Sequence, residues 1–309
     1  MKSSNIGGQA VIEGIMMRNG DKYSVAVRRD TGEIEVIEKE YQSIIKNKKL
    51  LKTPFVRGVF AFIDSLVLGI STLTLSAEFF ADDEEEQARR SKMTVEELEK
   101  EAQKDKAIMS GTVVVSVIIA LGIFVLLPYF LSRILHNVMH SEALIALIEG
   151  VIRLGIFIAY VALISLMKDI KRVYMYHGAE HKCINCIEHG LPLTVENVRK
   201  SSKEHKRCGT SFLLFVVLIS ILIFMVIRVD SGILRIVLRL LMIPVIASLS
   251  YELLKFTGRK DNAFTNIISR PGMWVQGLTT KEPDDDMIEV GIASVEKVFD
   301  WKKWQEENL

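Results

Sequence analysis

The chain has 309 residues, 39 basic and 38 acidic, for a formal net charge of +1 with histidine neutral. So even a balance excludes recognition of nucleic acid or of acidic partners by bulk charge. Apolar residues make up 49%, and their gathering into long blocks, more than their total, points to the membrane.

In chain order, Met1 to Asn5 lead into Gly7-Gly8-Gln9 without an apolar core, which is not a secretory-signal pattern. Gly7 to Met17 reads as a strand, and residues 23–37 as a hairpin turning at Asp30-Thr31-Gly32. Residues 1–54 are thus expected to form a β-rich unit, basic through Arg18, Arg28, Arg29, Lys46, Lys48, Lys49 and Lys52. Residues 55–80 are long and apolar enough to cross a bilayer, with Asp64 and Glu78 their only acids. Both flanks are basic, however, so the segment is expected to be re-entrant, bending near Gly69, or to lie along the interface. Thr94-Val95-Glu96-Glu97 opens a charged, solvated helix within 81–109 by a capping box.

Two spanning helices are expected in 110–167 and two more in 210–254, around a loop at 168–209. That loop carries Lys168, Lys171, Arg172, Lys182, Arg199, Lys200, Lys203, Lys206 and Arg207, the mark of a cytoplasmic segment. Thr194 is placed to cap a short basic helix reaching Lys203. Alternation then sets Ser132–Glu142 and Arg228–Ser231 outside and both termini inside a bacterial cytoplasmic membrane. In the C-terminal unit, 255–309, Pro283 followed by Asp284, Asp285 and Asp286 suits a helical first turn. Ile288, Ile292, Val295 and Phe299 share one side of that helix. The expected fold is an α-helical polytopic membrane protein with four full transmembrane helices, one re-entrant or interfacial segment, and a small mixed α/β cytoplasmic unit.

Four of the six histidines and all three cysteines fall in 168–209. An odd number of cysteines in a reducing compartment argues against a disulfide framework. His177-Gly178-Ala179-Glu180-His181 follows the H-x-x-E-H spacing, in which two His hold a metal and the Glu handles a proton. On a helix, positions 177, 181, 184 and 188 share one stripe. Three readings compete. In a catalytic site, His177, His181 and either Glu188 or His205 are ligands, and Glu180 is the general base. In a structural zinc ribbon, Cys183-x2-Cys186 pairs with His205-x2-Cys208. In the third, polar residues crowd a membrane surface without a metal. The catalytic reading is favoured, with zinc the default ion for such ligands. His136 and His140, also four apart but lacking an acid or Cys nearby, read as solvated loop residues.

Charges also fall inside the apolar blocks. Glu149 and Arg153 can pair along one helix, and Arg235 and Arg239 share a face of another. An intramembrane charge faces protein, water or headgroups. Arg153 and Arg239 therefore mark either a pocket for phosphate or an anionic solute, or side chains reaching to the outer surface. Asp64 is a proton or cation site if its segment inserts, and an interface acid otherwise.

With these residues laid out, the chain resembles the YqhQ-like family of bacterial membrane proteins (domain of unknown function 1385). The resemblance runs over nearly the whole length, through Gly7 to Arg18, Pro54 to Gly58, Tyr176 to Lys182, His205 to Phe212, Pro271 to Trp274 and Leu278 to Asp285. It implies a multi-spanning protein suspected of metal dependence, and fixes neither reaction nor substrate. His177, Glu180, His181, Glu188, His205 and Cys208 match the family pattern, whereas Cys183 stands at a position commonly not Cys, which weakens the ribbon. The resemblance also draws in Glu13 and Arg18 as substrate-binding or structural residues. The functional expectation is a divalent-metal hydrolase at the cytoplasmic face, acting on a peptide, lipid or amphiphile. The alternative is a non-enzymatic transporter, channel or regulator with a structural or gating metal. Membrane lipid is the expected partner, nucleic acid is not, and a homo-oligomer is left open.

Overall fold

Alternating apolar and polar residues at the N-terminus build two hairpins. The computed structural model describes residues 3–43, 53–79, 93–134, 139, 141–227, 229, 231–259 and 262–309. His136, His140, Arg228, Lys46, Lys48, Lys49, Lys52 and residues 81–92 lie outside these. The described residues form two units, Met1–Ala77 with Tyr160–Ile219 and Met242–Leu309, and Glu78–Ala159 with Ser220–Leu241.

In the first unit, β1 (Gly7–Val11), β2 (Gly14–Asn19), β3 (Lys22–Arg28) and β4 (Ile34–Glu40) form an antiparallel sheet in sequence order. The single strand expected over Gly7 to Met17 is in fact β1 and β2, joined at Ile12-Glu13. Glu13 takes a left-handed φ of 46°. A Cβ at Gly14 would come within 2.3 Å of the Ala26 carbonyl, so the glycine is required by the approach of β3.

One face of the sheet is covered by α5 (Lys168–Glu188) and α10 (Asp285–Val298). Ile15 and Met17 of the sheet, Tyr176, Ile184 and Ile187 of α5, and Met287, Ile288 and Val295 of α10 form the core. Each such buried aliphatic contributes about 1.5–3 kcal/mol. Small residues let α10 settle deeply. Ser24 Oγ donates to Ser294 O at 2.7 Å, and a Cβ at Gly291 would lie 2.8 Å from Cys183 Sγ. Asp284 caps α10 by accepting from Met287 N. Thr194 caps α6 (Val195–Lys200), which ends three residues short of the expected Lys203.

The polypeptide before α10 crosses α5 closely, with Lys281 N donating to Tyr174 O at 2.9 Å. A Cβ at Gly178 would sit 2.0 Å from Lys281 O. Gly178→Ala is therefore expected to destabilise the protein by about 1–3 kcal/mol or more through overpacking, read as a lowered thermal midpoint in detergent. An unchanged midpoint would show that this crossing can yield.

The segment expected to bend at Gly69 is one helix, α1 (Val56–Glu78), unbroken at that residue. Gly69 serves close approach instead: a Cβ there would meet Gln9 Oε1 at 2.7 Å. Gln9 Nε2 donates to Gly69 O, Ile12 N to Ser76 Oγ, and Tyr41 and Ser43 to the Asp64 carboxylate. Asp64 is thus held by the residues that follow β4. Farther on, α7 (Gly209–Val226), α8 (Gly232–Arg259), α9 (Ala263–Thr279) and α11 (Trp301–Asn308) complete the helices that supply residues to this unit.

In the second unit the Thr94 capping box opens α2 (Val95–Leu121). The charged helix and the first expected span are thus one element. It continues through a π-helical turn, Gly122–Leu126, into α3 (Leu127–Arg133). Arg153 Nε donates to the Phe124 carbonyl of that turn at 3.0 Å. On α4 (Glu142–Ile164), Arg153 also reaches Ser220 Oγ at 2.8 Å and Glu149 Oε1 at 2.8 Å. Arg239 Nη2 takes the other carboxylate oxygen at 2.6 Å.

Five helices among the described residues are long and apolar enough to cross a membrane: Val56–Glu78, Glu96–Arg133, Ala143–Ile164, Gly209–Val226 and Gly232–Arg259. These are the helices of a multi-pass membrane protein.

Candidate metal centre

The site is built on α5. His177 and His181 project from one face, their ring centroids 4.4 Å apart. Each holds a backbone carbonyl through Nδ1: His177 that of Thr279 at 2.9 Å, His181 that of Lys203 at 2.7 Å. A carbonyl only accepts, so both Nδ1 atoms carry hydrogen and Nε2 is left to face the site. Cys208, just before α7, brings Sγ to 3.4 Å from His177 Nε2. Donor atoms of His177, His181 and Cys208 all lie within 4.8 Å of one another. Zinc bonds of about 2.3 Å to sulfur and 2.0–2.1 Å to nitrogen at a tetrahedral angle put those two ligands about 3.6 Å apart. These three residues could hold a metal ion.

Glu180 stands beside them. Its Oε2 is 3.9 Å from His177 Nε2 and 3.8 Å from His181 Nε2, and the residue is 4% exposed. Strand β1 passes against its stem: a Cβ at Gly8 would be 2.9 Å from Glu180 Cγ. The glycines of the N-terminal motif therefore let a strand lie on the site. A cavity of about 90 Å³ opens among Ile6, Gly7, Gly8, His177, Glu180, His181, Ile184, His205, Arg207, Cys208 and Gly209. That is enough space for a small ion together with water.

Electrostatics inside the cluster favour a deprotonated sulfur. Burial would raise the Cys208 thiol, but His177 and His181 outweigh it and hold it well below the ordinary range. Burial likewise opposes charge on His177, yet the Cys208 thiolate, Glu180 and the Thr279 carbonyl together raise it to about 9.

The loop 199–208 is laid on α5 by side chains that answer its carbonyls one after another. Lys182, 4% exposed, donates to Arg199 O and Ser201 O, both at 2.9 Å, and pairs with Glu282. Asn185 Nδ2 donates to Ser202 O and Glu204 O. From α9, Gln276 accepts from His205 N and donates to His205 O. Sequence reasoning gave no site role to Lys182, Asn185, Gln276 or Thr279. The legible signal was their polarity in otherwise tightly packed segments.

Glu188 and His205 are not among the donor atoms that converge, although His205 lines the cavity. From His177 to Glu188 the stripe rises about 16 Å at 1.5 Å per residue, too far for one ion. Glu188 Oε1 accepts from Ser4 N at 2.7 Å, Ser4 Oγ at 2.7 Å and Arg207 Nη2 at 2.6 Å. Burial would raise its carboxyl, but His205 and Arg207 bring it down to about 2. It fixes the N-terminal segment over the site. His205 Nε2 turns to Glu188 Oε2 at 3.5 Å, and burial lowers its pKa.

No ribbon forms either. Cys183 packs on Gly291, and Cys186 Sγ faces Leu191 O and Pro192 O. Glu13 clamps the Arg172 guanidinium with both oxygens and accepts from Tyr176 OH at 3.2 Å. Arg18 donates to Gly20 O at 2.8 Å and lies over the Tyr41 ring. Neither lines the cavity, so both shape the β-unit and its seat on α5.

The fold and site define a multi-pass membrane protein with a small antiparallel sheet closed over a His/Cys/Glu cluster. Residues 53–301 match the family described as "Protein of unknown function (DUF1385)", and the chain belongs to that family. It is similar to the "Uncharacterized protein YqhQ" of Bacillus subtilis (strain 168), 35% identical over 305 residues, which cover 98% of this chain and 94% of that protein. No solved structure matches.

Proposed function

We propose that the chain is a divalent-metal hydrolase working at the cytoplasmic surface of the membrane, with zinc held by His177, His181 and Cys208. The observation that carries the proposal is the pair of Nδ1–carbonyl bonds, which turn both Nε2 atoms onto the Cys208 sulfur beside a buried carboxylate. Hydrogen-bonded second shells of this kind orient metal-binding imidazoles. Three protein ligands with open space beside them fit a catalytic site better than a closed structural one. His177, His181 and Cys208 would hold such an ion, and the chemistry it would supply is a more acidic water. Glu180 Oε2 is placed to take a proton from water in the cavity and return it to a leaving group. Elemental analysis of the wild type and of the ligand variants tests the site directly.

The membrane placement has its own support. Helix α9 begins at Ala263, four residues after α8 ends at Arg259. One face of α9 buries Thr265, Ser269, Gly272, Gln276 and Thr279, while Phe264, Ile267 and Trp274 are more than 60% exposed. Such a helix lies in the interface plane with its aromatics at headgroup level. Gln276 and Thr279 belong to the same helix, so the cavity sits close to lipid and an amphiphilic substrate fits best. Helix α1 is bound to the sheet unit at Asp64, Gly69 and Ser76. A crossing helix would draw that unit into hydrocarbon, where open sheet edges are not tolerated. We therefore place α1 along the cytoplasmic surface and count four crossings. With Trp301 and Trp304 replaced by Phe, Trp274 fluorescence is expected to be quenched by lipids brominated near the headgroup. Quenching only by aqueous iodide would put α9 in solution.

A further inference from the structure

A second polar centre lies in the other unit and uses none of the residues above. Glu149, Arg153 and Arg239 are each at least nine-tenths buried. One carboxylate serves two guanidiniums, Arg153 through Oε1 and Arg239 through Oε2. The three side chains therefore carry one positive charge more than they neutralise. Arg153 has every nitrogen engaged, by Phe124 O, Ser220 Oγ and Glu149. Arg239 does not. Its Nη2 is bound, but Nε and Nη1 have no hydrogen-bond partner among the described residues.

The rings of Tyr129 and Phe224 lie 4.8 and 5.4 Å from the Arg239 guanidinium carbon. They hold the group without answering its in-plane N–H bonds. Arg239 lines a cavity of about 30 Å³, together with Glu149, Arg235 and Phe224. That volume matches one water or one small ion. Water would satisfy the donors but leave the charge, and a buried charge is tolerated when it is paired as well as hydrogen-bonded. Arg239 lies seven residues into α8, about 10 Å from the helix end. A headgroup oxygen can reach that depth.

We propose that this cavity is an anion-binding site, holding one negative charge against Nε and Nη1 of Arg239. The ligand is a small free anion or a single phosphate oxygen of an anionic lipid. The test uses the full chain in phosphatidylcholine nanodiscs with gluconate as the starting anion. Chloride or inorganic phosphate replaces it at constant ionic strength, and thermal unfolding is read. If the ligand is a free anion, the midpoint rises saturably, by about 5 °C at a hundredfold excess over Kd. The rise is absent in Arg239→Gln and weakened in Arg239→Lys. If the ligand is a lipid, free anions change nothing. Phosphatidylglycerol in the nanodisc then raises the midpoint of wild type and not of Arg239→Gln. Where a variant fails to fold, the wild-type titrations decide. A wild-type midpoint insensitive to chloride, phosphate and phosphatidylglycerol alike would mean the cavity holds only water, and would overturn the proposal.

Discussion

Protein purified without chelators is expected to carry one divalent ion per chain, and His177→Ala, His181→Ala or Cys208→Ala to lose it. The loss should far exceed the roughly 10–100-fold in affinity that removal of a supporting hydrogen bond costs. His205→Ala should keep the ion, because that ring turns to Glu188. Affinity should also depend on pH in a definite direction. His177 titrates at about 9 in the ion-free protein, so below that pH binding must displace its proton. Cys208 is already held deprotonated and releases none. Affinity is therefore expected to rise about tenfold per pH unit up to about 9 and then level off. Chelator-competition titrations read both effects. Equal loss of metal in His205→Ala and Cys208→Ala, or affinity that falls as pH rises, would dismiss this ligand set.

Glu180→Gln is expected to keep the ion and lower turnover by about 10²–10⁴-fold, the usual contribution of a positioned base. Its Oε2 stands 3.8 and 3.9 Å from the two Nε2 atoms, beside the donors and not among them. Until a substrate is found among membrane peptides and lipids, the readout is the fitness of cells whose only copy is the variant, alongside its metal content. Release of the ion by Glu180→Gln would make Glu180 a ligand and refute the mechanism. Full metal with full cellular function would refute hydrolysis, leaving the transport or regulatory alternative.

Much of the site was legible because it is local. His177, Glu180 and His181 lie within two helical turns, where spacing alone fixes which side chains share a face. The third candidate ligand was harder. Glu188 lies on the same stripe, but periodicity gives an angle and not a distance, and the helix carries it out of reach. Cys208 arrives from another segment, through a loop whose path depends on Lys182 and Asn185 answering successive carbonyls. Such tertiary bonds leave no periodic trace. The same holds in the fold. The hairpin at Asp30-Thr31-Gly32 announced itself by turn chemistry, whereas the turn at Ile12-Glu13 was hidden because Glu is an uncommon residue at positive φ. Gly69 suggested a bend, when its role is to admit Gln9.

The sharing of Glu149 has a consequence for descent. Its two oxygens serve Arg153 and Arg239 separately. Replace either arginine, and the carboxylate keeps one cationic neighbour where it had two. Replace the carboxylate, and two guanidiniums lose the countercharge they have in common. Among divergent homologues, positions 149, 153 and 239 are thus expected to change together.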